Sequence, residues 1–375
     1  MAPPTTSHAQ RLVENHLARA GVRIDGDQPW DIHVYDPRLY RRILRHGSLG
    51  LSESFMDGWW DCDRLDELIH RVLRADLESA VRTRGEGIRT MIATWINLQA
   101  RSRAFHIGRH HYDIGNDLYS RMLDRRMIYS CGYWRNASDL DEAQEAKLDL
   151  TCRKLHLEPG MRLLDIGCGW GGTARFAAER YGVSVVGITV SKRQATRARE
   201  VCRGLDVEIR LQDYRDLTGT FDRIVSIGMF EHVGVKNYPC FFRVARERLR
   251  DDGLFLLHTI GNLRSVNHTD PWIDRHIFPN SMLPSAAQIA AAVEGRFVIE
   301  DWHNFGLDYD PTLMAWWENF RRHWPELRDR YDERFYRMWK FYLLSCAGSF
   351  RARKNQVWQI VLSPHGLAET YVAPR

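Results

Sequence analysis

The sequence predicts an α/β fold in which a sheet carries helices on both faces, preceded by a small, mostly helical N-terminal domain. Two observations support this prediction. Strand and helix patterns alternate from residue 163 onward, which is typical of a parallel sheet covered on both sides. A glycine-rich turn, residues 167–172, separates the first of these strands from the first helix. Ligands of such sheets bind at the carboxyl ends of the strands, so the turn marks the predicted site.

The first hundred residues form a separate unit in this prediction. They contain a short strand pattern at 31–34 and helical patterns at 37–44 and 65–73. Glycine-containing stretches at 47–50 and 85–87 interrupt the unit, and the second is a predicted hinge leading into residues 88–100. We therefore divide the chain into an N-terminal domain with its linker, residues 1–100, and a main domain, residues 101–375.

Each element of the main domain has its own pattern. The strand at 163–166 leads into a helix at 173–181, and the strand at 183–190 leads into a helix from Lys192. Ser191 and Gln194 have the spacing of a capping box for that helix. The later patterns follow in chain order: strands 207–211 and 223–227, helix 241–249, and strands 254–258, 297–301 and 357–362. An aromatic-rich insert, residues 309–351, is helical in pattern and is expected to cover the carboxyl edge of the sheet.

The composition is that of an ordinary globular protein. Of the 375 residues, 44% are hydrophobic and 27% are charged, and no apolar run reaches the ~18–20 residues that cross a bilayer. The first ten residues are polar and contain proline, unlike a secretory signal. The 7 cysteines have no C-x-x-C spacing, so neither a disulfide framework nor a zinc site is indicated. A reducing cytoplasm is the expected compartment.

One segment is strongly basic. Residues 71–111 contain arginines at 71, 74, 82, 84, 89, 101, 103 and 109 against only three acids, a surplus equal to the net charge of +5 on the whole chain. Such a segment is either a solvated helix face or a surface that binds anionic lipid. Nucleic acid is the least supported partner, because no recognised nucleic-acid motif is present.

The glycine turn is compatible with two adenosyl cofactors. A third and simpler interpretation is a turn with a structural role only. Glycines allow backbone amides to approach a ligand closely, and both nicotinamide dinucleotides and S-adenosylmethionine use such turns. A dinucleotide requires an acid at the end of the next strand, where this chain has Thr189 instead. Together with Asp165 at the end of the first strand, this favours S-adenosylmethionine. Gly171 belongs to the same turn and is a predicted cofactor-binding residue.

Polar residues follow three different strands of the predicted sheet. Glu231 and His232 come after strand 223–227, His258 ends strand 254–258, and the pair Asp213 and Tyr214 follows strand 207–211. A single such residue usually has a structural hydrogen-bonding role. Their convergence at one edge favours an active site instead. Asp213 is suitably placed to accept from an adenine amino group, and Tyr214 to pack against the ring.

Two cysteines are candidate nucleophiles. Cys131 lies in residues 129–134, before the sheet, and Cys346 lies in the apolar stretch 344–348. Neither neighbourhood indicates a lowered thiol pKa, so an inert buried cysteine is the favoured interpretation of each. Aromatic residues between 302 and 320 fit a hydrophobic core better than a pocket, although 13 tryptophans leave room for an apolar tunnel.

With these motifs in place, the sequence closely resembles the bacterial cyclopropane-fatty-acyl-phospholipid synthases, whose catalytic part is shared by mycolic acid cyclopropane synthases. The resemblance runs nearly end to end. Besides the glycine turn it is carried by ESFMDGWW (53–60), HYDIGND (111–117), FEHVG (230–234), LHTIG (257–261), WHNFGLDY (302–309) and FRAR (350–353). It implies a class I methyltransferase fold and transfer of a methylene group from S-adenosylmethionine to a cis double bond of an unsaturated phospholipid acyl chain.

The resemblance also implies the residues of the cofactor site. These are Tyr129, Ser130, Gly167, Gly169, Thr189, Gln194, Gln212, Asp213 and Tyr214. Thr189 departs from the acid common among methyltransferases but suits this family. Gln194 has two interpretations, as a helix cap and as an adenine contact, and we favour the contact.

A bound bicarbonate is implied as the general base, held by Cys131, Glu231, His258, Tyr309 and the backbone of Ile260. The double bond attacks the sulfonium methyl group directly, and the bicarbonate then removes a proton from the resulting carbocation as the ring closes. Water must be excluded from this site. Cys346 matches a cysteine proposed as catalytic in the family. We keep it as a candidate although this mechanism needs no thiol nucleophile.

The resemblance further implies a homodimer that works from the cytoplasm on the inner membrane surface, with the phospholipid bilayer as its partner and with no metal or nucleic acid. The predicted docking surface is the basic segment together with the apolar residues Met91, Ile92, Trp95 and Ile96. Three other functions remain open from the residues. They are methylation of a lipid or small molecule without ring closure, a nicotinamide oxidoreductase, and a lipid-binding protein without catalysis.

Overall fold

The computed structural model describes residues 7–77 and 115–375. The N-terminal part is mostly helical, as predicted, and contains one small two-stranded antiparallel sheet. Its elements are helix α1 His8–Ala18, strand β1 His33–Val34, helix α2 Arg38–Met56, strand β2 Trp60–Asp61 and helix α3 Leu65–Arg74. The expected break near residue 47 is a kink within α2, where Gly47 adopts a φ of 57°. The helix therefore continues to Met56, about three turns past its predicted end at residue 44.

A seven-stranded sheet forms the centre of the main domain. Its strands are β3 Arg162–Ile166, β4 Ser184–Thr189, β5 Val207–Leu211, β6 Phe221–Ile227, β7 Leu249–Asn262, β8 Val298–Asn304 and β9 Asn355–Ser363. Their order across the sheet is β5-β4-β3-β6-β7-β9-β8. The helices of this domain are α4 Asn116–Met122, α5 Leu140–Lys154, α6 Gly172–Tyr181, α7 Lys192–Val201, α8 Tyr238–Arg248, α9 Pro271–His276, α10 Ala286–Val293, α11 Tyr309–Leu327 and α12 Glu333–Arg351.

The prediction of a parallel sheet is right for six of the seven strands of this sheet and wrong for β9, which runs in the opposite direction. Strands β3 to β7 are parallel, whereas β9 is antiparallel to both β7 and β8. The cause is the position of α11 and α12. Strand β9 starts only four residues after α12 ends, and its first residue, Asn355, pairs with Asn262 at the end of β7. The chain therefore enters the sheet from the carboxyl edge, which the helical insert covers as predicted.

Apolar side chains pack on both faces of the sheet, which gives the layered arrangement its stability. One core contains aromatic residues of β7 and α8, such as Phe241, Phe242 and Phe255, and the other packs α6 and α5 against β3 and β4. A third core lies between the N-terminal part and α12, around Trp60 and Phe341.

The N-terminal part is joined to the main domain by close packing and by charge. Gly348 in α12 has the backbone of Asp66 in α3 directly against it, so a larger residue there would separate the two helices. Arg351 reaches the same helix and donates to Asp66 Oδ2 at 2.8 Å, while also contacting Asp310 of α11. Because Asp66 is buried, this ion pair links three helices in a protected place.

Several predictions fall outside the described residues. They are the hinge at 85–87, the following stretch 88–100 and most of the basic segment. Among the residues that are described, no helix combines the length and the apolar character needed to cross a membrane.

Candidate functional site

A cavity opens at the carboxyl ends of β3, β4, β5 and β6. Its walls come from the turns that follow these strands and from the segment that precedes α5. The lining residues are Met127, Ile128, Tyr129, Ser130, Asp165, Gly167, Cys168, Gly169, Trp170, Gly172, Thr173, Ile188, Thr189, Val190, Gln194, Gln212, Asp213, Tyr214, Arg215, Ile227, Gly228, Met229, His232 and Val233. Ten of the eleven predicted cofactor-binding residues are therefore brought together, and Gly171 is the exception.

The glycine turn owes its shape to left-handed backbone conformations. Gly167 and Gly169 have φ angles of 92° and 54°, which side chains disfavour. A Cβ atom at Gly167 would come within 2.6 Å of Met229 Cβ, whereas nothing lies within 4 Å of the corresponding position at Gly169. Gly171 instead packs against α7, where its Cβ position is 3.0 Å from Ala198. Its role in this structure is helix packing, and it does not line the cavity.

Asp165 lines the cavity, and one of its two carboxylate oxygens has no hydrogen-bond partner in the described chain. Its side chain is buried, and Oδ2 forms no hydrogen bond with any described residue. Burial raises the pKa of this carboxyl group to about 7, against the opposing charge of Lys147. A buried polar atom without a partner is costly. The arrangement therefore fits a ligand that donates a hydrogen bond or carries positive charge.

Thr189, Ser191 and Gln194 form a short relay between β4 and α7. The backbone N–H of Ser191 donates to Thr189 Oγ1 at 3.2 Å, and Thr189 Oγ1 donates to Gln194 Oε1 at 2.8 Å. Ser191 caps α7 by accepting from the backbone N–H of Gln194. The predicted capping box is thus only half formed, because Gln194 directs its side-chain oxygen to Thr189. Its amide nitrogen is the group it can offer to a ligand in the cavity.

The end of β5 supplies Gln212, Asp213 and Tyr214. Asp213 is nearly buried and accepts from the backbone N–H and the guanidinium group of Arg215, at 2.9 and 3.2 Å. The Tyr214 ring packs edge-on against Phe241 with 5.4 Å between ring centroids, while Arg215 lies over its face. Gln212 Nε2 donates to the backbone oxygen of Asp216. These contacts fix the side chains at the wall where an adenine ring is expected.

The segment before α5 forms the opposite wall. Tyr129 Oη lies 2.9 Å from Tyr342 Oη of α12, and its ring packs against Trp316. Ser130 is held at two atoms: its carbonyl oxygen accepts from Gln144 Nε2 at 2.8 Å, and its Oγ accepts from Lys147 Nζ at 2.9 Å. The cavity wall therefore rests on both α12 and α5.

Glu231, His258 and Ile260 lie beside this cavity. Glu231 Oε1 accepts from the backbone N–H of Ile260 at 2.7 Å, while Glu231 Oε2 has no hydrogen-bond partner among the described residues. Burial raises the pKa of Glu231 to about 7. His258 is buried with Nδ1 unpartnered in the described chain, and burial together with the charge of Lys147 lowers its pKa well below the usual value. Glu231 Oε2 and His258 Nδ1 are thus two buried polar atoms beside the cofactor cavity that have no hydrogen-bond partner in the described chain.

Tyr309 connects this group to the aromatic insert. Its ring packs against Trp316 and Phe350, and the side chain is buried. Burial and the neighbouring Cys131, Tyr129 and Glu231 raise the pKa of its hydroxyl group well above the usual value, so it remains protonated as a hydrogen-bond donor. We refer to the space around Glu231, His258, Tyr309 and Cys131 as the polar niche.

The two candidate cysteines are both un-ionised thiols in this environment. Cys131 is completely buried, and its Sγ donates to the carbonyl oxygen of Gly132 at 3.2 Å. Burial, with a contribution from Asp308, raises its thiol pKa well above the usual value. Burial likewise raises the thiol pKa of Cys346 to about 12. Neither cysteine is therefore activated as a nucleophile.

Two supporting residues, Gln144 and Lys147, were not among the sequence predictions, and a third, His232, was predicted only as one of the polar residues at the strand ends. Gln144 and Lys147 hold Ser130 from behind, and His232 lines the cavity with Nδ1 unpartnered among the described residues. The sequence placed His232 at the right strand end but assigned it no role. Lys147 gives no sequence signal, because a lysine in a helix is normally exposed.

Comparisons with known proteins give consistent results. The family model described as mycolic acid cyclopropane synthetase matches residues 99–360. Cyclopropane-fatty-acyl-phospholipid synthase of Escherichia coli (strain K12) is 56% identical over 354 residues, covering 94% of this chain and 93% of that protein.

Solved structures agree with these sequence matches. The cyclopropane synthase MmaA2 from Mycobacterium tuberculosis is 35% identical with a TM-score of 0.66, over 69% of this chain and 97% of that chain. The mycolic acid cyclopropane synthase CmaA1, in a crystal structure complexed with SAH and CTAB, is 35% identical with a TM-score of 0.64 and the same coverage of both chains. A coclaurine N-methyltransferase, 24% identical with a TM-score of 0.67 over 84% of this chain and 97% of that chain, shares the fold.

Proposed function

This chain belongs to the mycolic acid cyclopropane synthetase family, and we propose that it transfers a methylene group from S-adenosylmethionine to a cis double bond of an unsaturated phospholipid acyl chain. The coarser activity, S-adenosylmethionine-dependent cyclopropanation of lipids, follows from the family and from the 56% identity to the Escherichia coli enzyme. The phospholipid substrate, the double-bond geometry and the base are the finer parts of the proposal.

The extent of the sequence match supports a phospholipid over a mycolic acid. Similarity to the phospholipid synthase covers 94% of this chain, whereas similarity to cyclopropane mycolic acid synthase 2 of Mycobacterium leprae covers 67%. The additional match lies in the N-terminal part, which precedes the family model at residue 99. A domain shared with the phospholipid enzyme and absent from the shorter relatives is a reasonable source of substrate choice.

One observation supports the proposed chemistry. The cofactor cavity lies beside the polar niche, and both contain buried polar atoms without hydrogen-bond partners in the described chain. Asp165 Oδ2 lacks a partner in the cavity, and Glu231 Oε2 and His258 Nδ1 lack partners in the niche, within the described chain. Native proteins satisfy most buried polar groups, so each of these atoms calls for a ligand.

The cavity residues fit S-adenosylmethionine. When bound, this cofactor supplies an electrophilic methyl group on a sulfonium sulfur. Asp165 would offer its free carboxylate oxygen to a cationic part of the cofactor, while Gln194 and Asp213 would contact its adenosyl part. Gly167 and Gly169 allow the cofactor to approach the backbone. These residues bind and orient the methyl donor, and orientation supplies much of the rate because an alkene is a weak nucleophile.

The niche residues fit a bicarbonate ion, which when bound would supply the base that accepts the proton released on ring closure. His258 and Tyr309 would donate hydrogen bonds to it, and Glu231 Oε2 would accept from its hydroxyl group. Cys131 lies at the edge of the niche, but its single thiol proton already donates to the carbonyl oxygen of Gly132. The expected role of Ile260 is altered, because its N–H already donates to Glu231 Oε1. Ile260 therefore supports the site by holding Glu231.

Aromatic side chains keep water away from this niche. Phe305 packs against the His258 ring, and Trp316 and Phe350 pack against Tyr309. Exclusion of water protects a reacting lipid cation from hydration and strengthens the electrostatic contacts inside. Aromatic faces also offset positive charge through cation–π attraction.

Membrane docking through residues 71–111, at the inner membrane surface, is a separate part of the proposal and rests on the charge surplus of this segment. Replacing Arg82, Arg84 and Arg89 by glutamate is expected to reduce co-sedimentation with anionic vesicles and to leave binding of S-adenosylhomocysteine unchanged. Unchanged sedimentation would exclude docking by this segment.

The homodimer is likewise a proposal, and a monomer in sedimentation equilibrium would contradict it.

The direct test is incubation with unsaturated phospholipid vesicles and methyl-labelled S-adenosylmethionine, followed by mass spectrometry of the acyl chains. The expected product has gained one CH₂ and lost the alkene signal, whereas saturated vesicles gain no label. A branched alkene would mean methylation without ring closure, and the proposed reaction would be wrong. Absence of any labelled lipid, with S-adenosylhomocysteine still bound, would point to a lipid-binding protein instead.

A further inference from the structure

A buried lysine lies directly behind the wall of the cofactor cavity. Lys147, on α5, has no exposed surface, and its Nζ donates to Ser130 Oγ at 2.9 Å. Ser130 lines the cavity. Taking an ammonium group out of water is costly unless the charge is paired and hydrogen-bonded. The family chemistry described above does not involve this lysine, so its position calls for an explanation.

The hydrogen bond from Lys147 determines how Ser130 can act. An ammonium group only donates, so Ser130 Oγ must be the acceptor, and its single hydroxyl proton has to go elsewhere. No other described side chain or backbone atom forms a hydrogen bond with Ser130 Oγ. Gln144 Nε2 already binds the carbonyl oxygen of Ser130, which fixes the backbone on the same side. The hydroxyl proton is therefore left for the cavity.

Titratable groups surround Lys147 from the elements packed against it. Asp124 follows α4, Asp165 ends β3, Cys131 lies in the cavity wall, and His258 lies on β7. Burial lowers the pKa of Lys147 to about 8, while Asp124, Cys131 and Asp165 oppose this change. The lysine is therefore mostly charged at neutral pH and loses its proton in a mildly alkaline range.

We propose that Lys147 is a positioning residue for the cofactor, which holds Ser130 Oγ as an acceptor so that the serine hydroxyl donates into the cavity to the carboxylate of the cofactor's amino-acid part. This inference rests on the proposed function, because it takes the ligand to be an adenosyl amino acid. A hydroxyl group that is oriented before binding donates without the entropic cost of ordering. When Lys147 is neutral, its amine accepts from Ser130, and the hydroxyl turns away from the ligand.

Calorimetric titration with S-adenosylhomocysteine tests the proposal without turnover. At pH 7 we expect Ser130→Ala and Lys147→Met each to weaken binding about tenfold, the worth of one hydrogen bond. The double variant is expected to bind no more weakly than the weaker single variant, because both changes remove the same interaction. Lys154→Met removes another buried ammonium from the same helix, one that pairs with Asp301, and is expected to bind like the wild type.

The pH dependence gives a second test that needs only the serine variant. The affinity gap between wild type and Ser130→Ala is expected to close as the pH rises from 7 to 10, because deprotonated Lys147 no longer orients the hydroxyl. Comparing the two proteins cancels the titration of the ligand itself. A constant gap, additive losses in the double variant, or equal loss in Lys154→Met would each overturn the positioning role. Failure of the wild type to bind S-adenosylhomocysteine would instead refute the proposed function.

Discussion

Replacing Glu231 by glutamine is expected to stabilise the fold while it impairs the reaction. Burial raises the pKa of Glu231 from 4.5 to about 7, so the folded state disfavours the ionised form. The difference corresponds to about 3 kcal/mol of lost stability once the carboxyl group is ionised in both states. Glutamine has nearly the same shape, its oxygen can still accept from the N–H of Ile260, and it carries no charge to bury.

The pH range of the effect follows from its sign. A carboxyl group with a raised folded-state pKa binds more protons when folded than when unfolded, so its contribution to stability falls as the pH rises from about 4.5 to about 7. The two proteins should therefore be about equally stable at pH 4.5, and Glu231→Gln should gain up to about 3 kcal/mol by pH 8. Urea denaturation at both pH values measures this gain, with the exposed Glu369→Gln as a control that is expected to show none.

Activity should change in the opposite direction. Glu231 Oε2 is the carboxylate oxygen left for the proposed bicarbonate, and loss of one charge-assisted hydrogen bond costs about 1.5–3 kcal/mol, or roughly 10- to 150-fold in kcat/KM. Wild-type activity should also decline as the pH falls through about 7, where Glu231 becomes protonated, and the variant should lack this decline. A glutamine variant that is as active as the wild type, or no more stable at pH 8, would refute the reasoning.

Three other changes test separate parts of the structure. Asp165→Asn should weaken binding of S-adenosylhomocysteine about tenfold at pH 8 in calorimetry, whereas equal affinity would exclude Asp165 as a cofactor ligand. Cys346→Ala should keep labelled-lipid formation within about twofold, since a thiol with a pKa of about 12 is not ionised; inactivity of a folded variant would restore a catalytic role. Gly348→Leu should lower thermal stability by more than about 2 kcal/mol, because the added side chain meets the Asp66 backbone, and Ala347→Gly is its milder comparison.

The strand and helix alternation predicted most of the sheet, because buried parallel strands and amphipathic helices have different periods. It could not predict the direction of β9, which is antiparallel to both of its neighbours. The pattern at 357–362 is simply apolar, and direction depends on where the preceding helix ends. The capping box at Gln194 is likewise only half formed because of a contact that local spacing does not reveal. Its spacing fits a capping box, but Thr189 offers the side-chain oxygen a better partner across the turn.

Ten of the eleven predicted cofactor-binding residues line one cavity, yet the resemblance gave no information about the groups behind them. Helix α5 buries a polar stripe made of Gln144, Lys147, Thr151 and Lys154, which hydrophobic periodicity assigns to solvent. The stripe is buried because it faces the cavity wall at Ser130 and the polar strand residues His258 and Gln359. Thr151 Oγ1, for example, accepts from Gln359 Nε2 at 3.0 Å. Sequence patterns record average burial, and Gln144 and Lys147 are exceptions within this stripe because they hold Ser130.

The short segment 129–131 lies between the cofactor cavity and the polar niche. Tyr129 and Ser130 line the cavity, while Cys131 is adjacent to Tyr309 in the niche. A shift of this segment would therefore move the methyl donor relative to the proposed base, and such reactions are sensitive to displacements of about 1 Å. The segment is held by Gln144 and Lys147 from α5 and by Thr312 from α11, whose Oγ1 accepts from Gly132 N at 3.1 Å. The buried polar groups of α5 thus lower stability locally and fix the spacing on which the reaction depends.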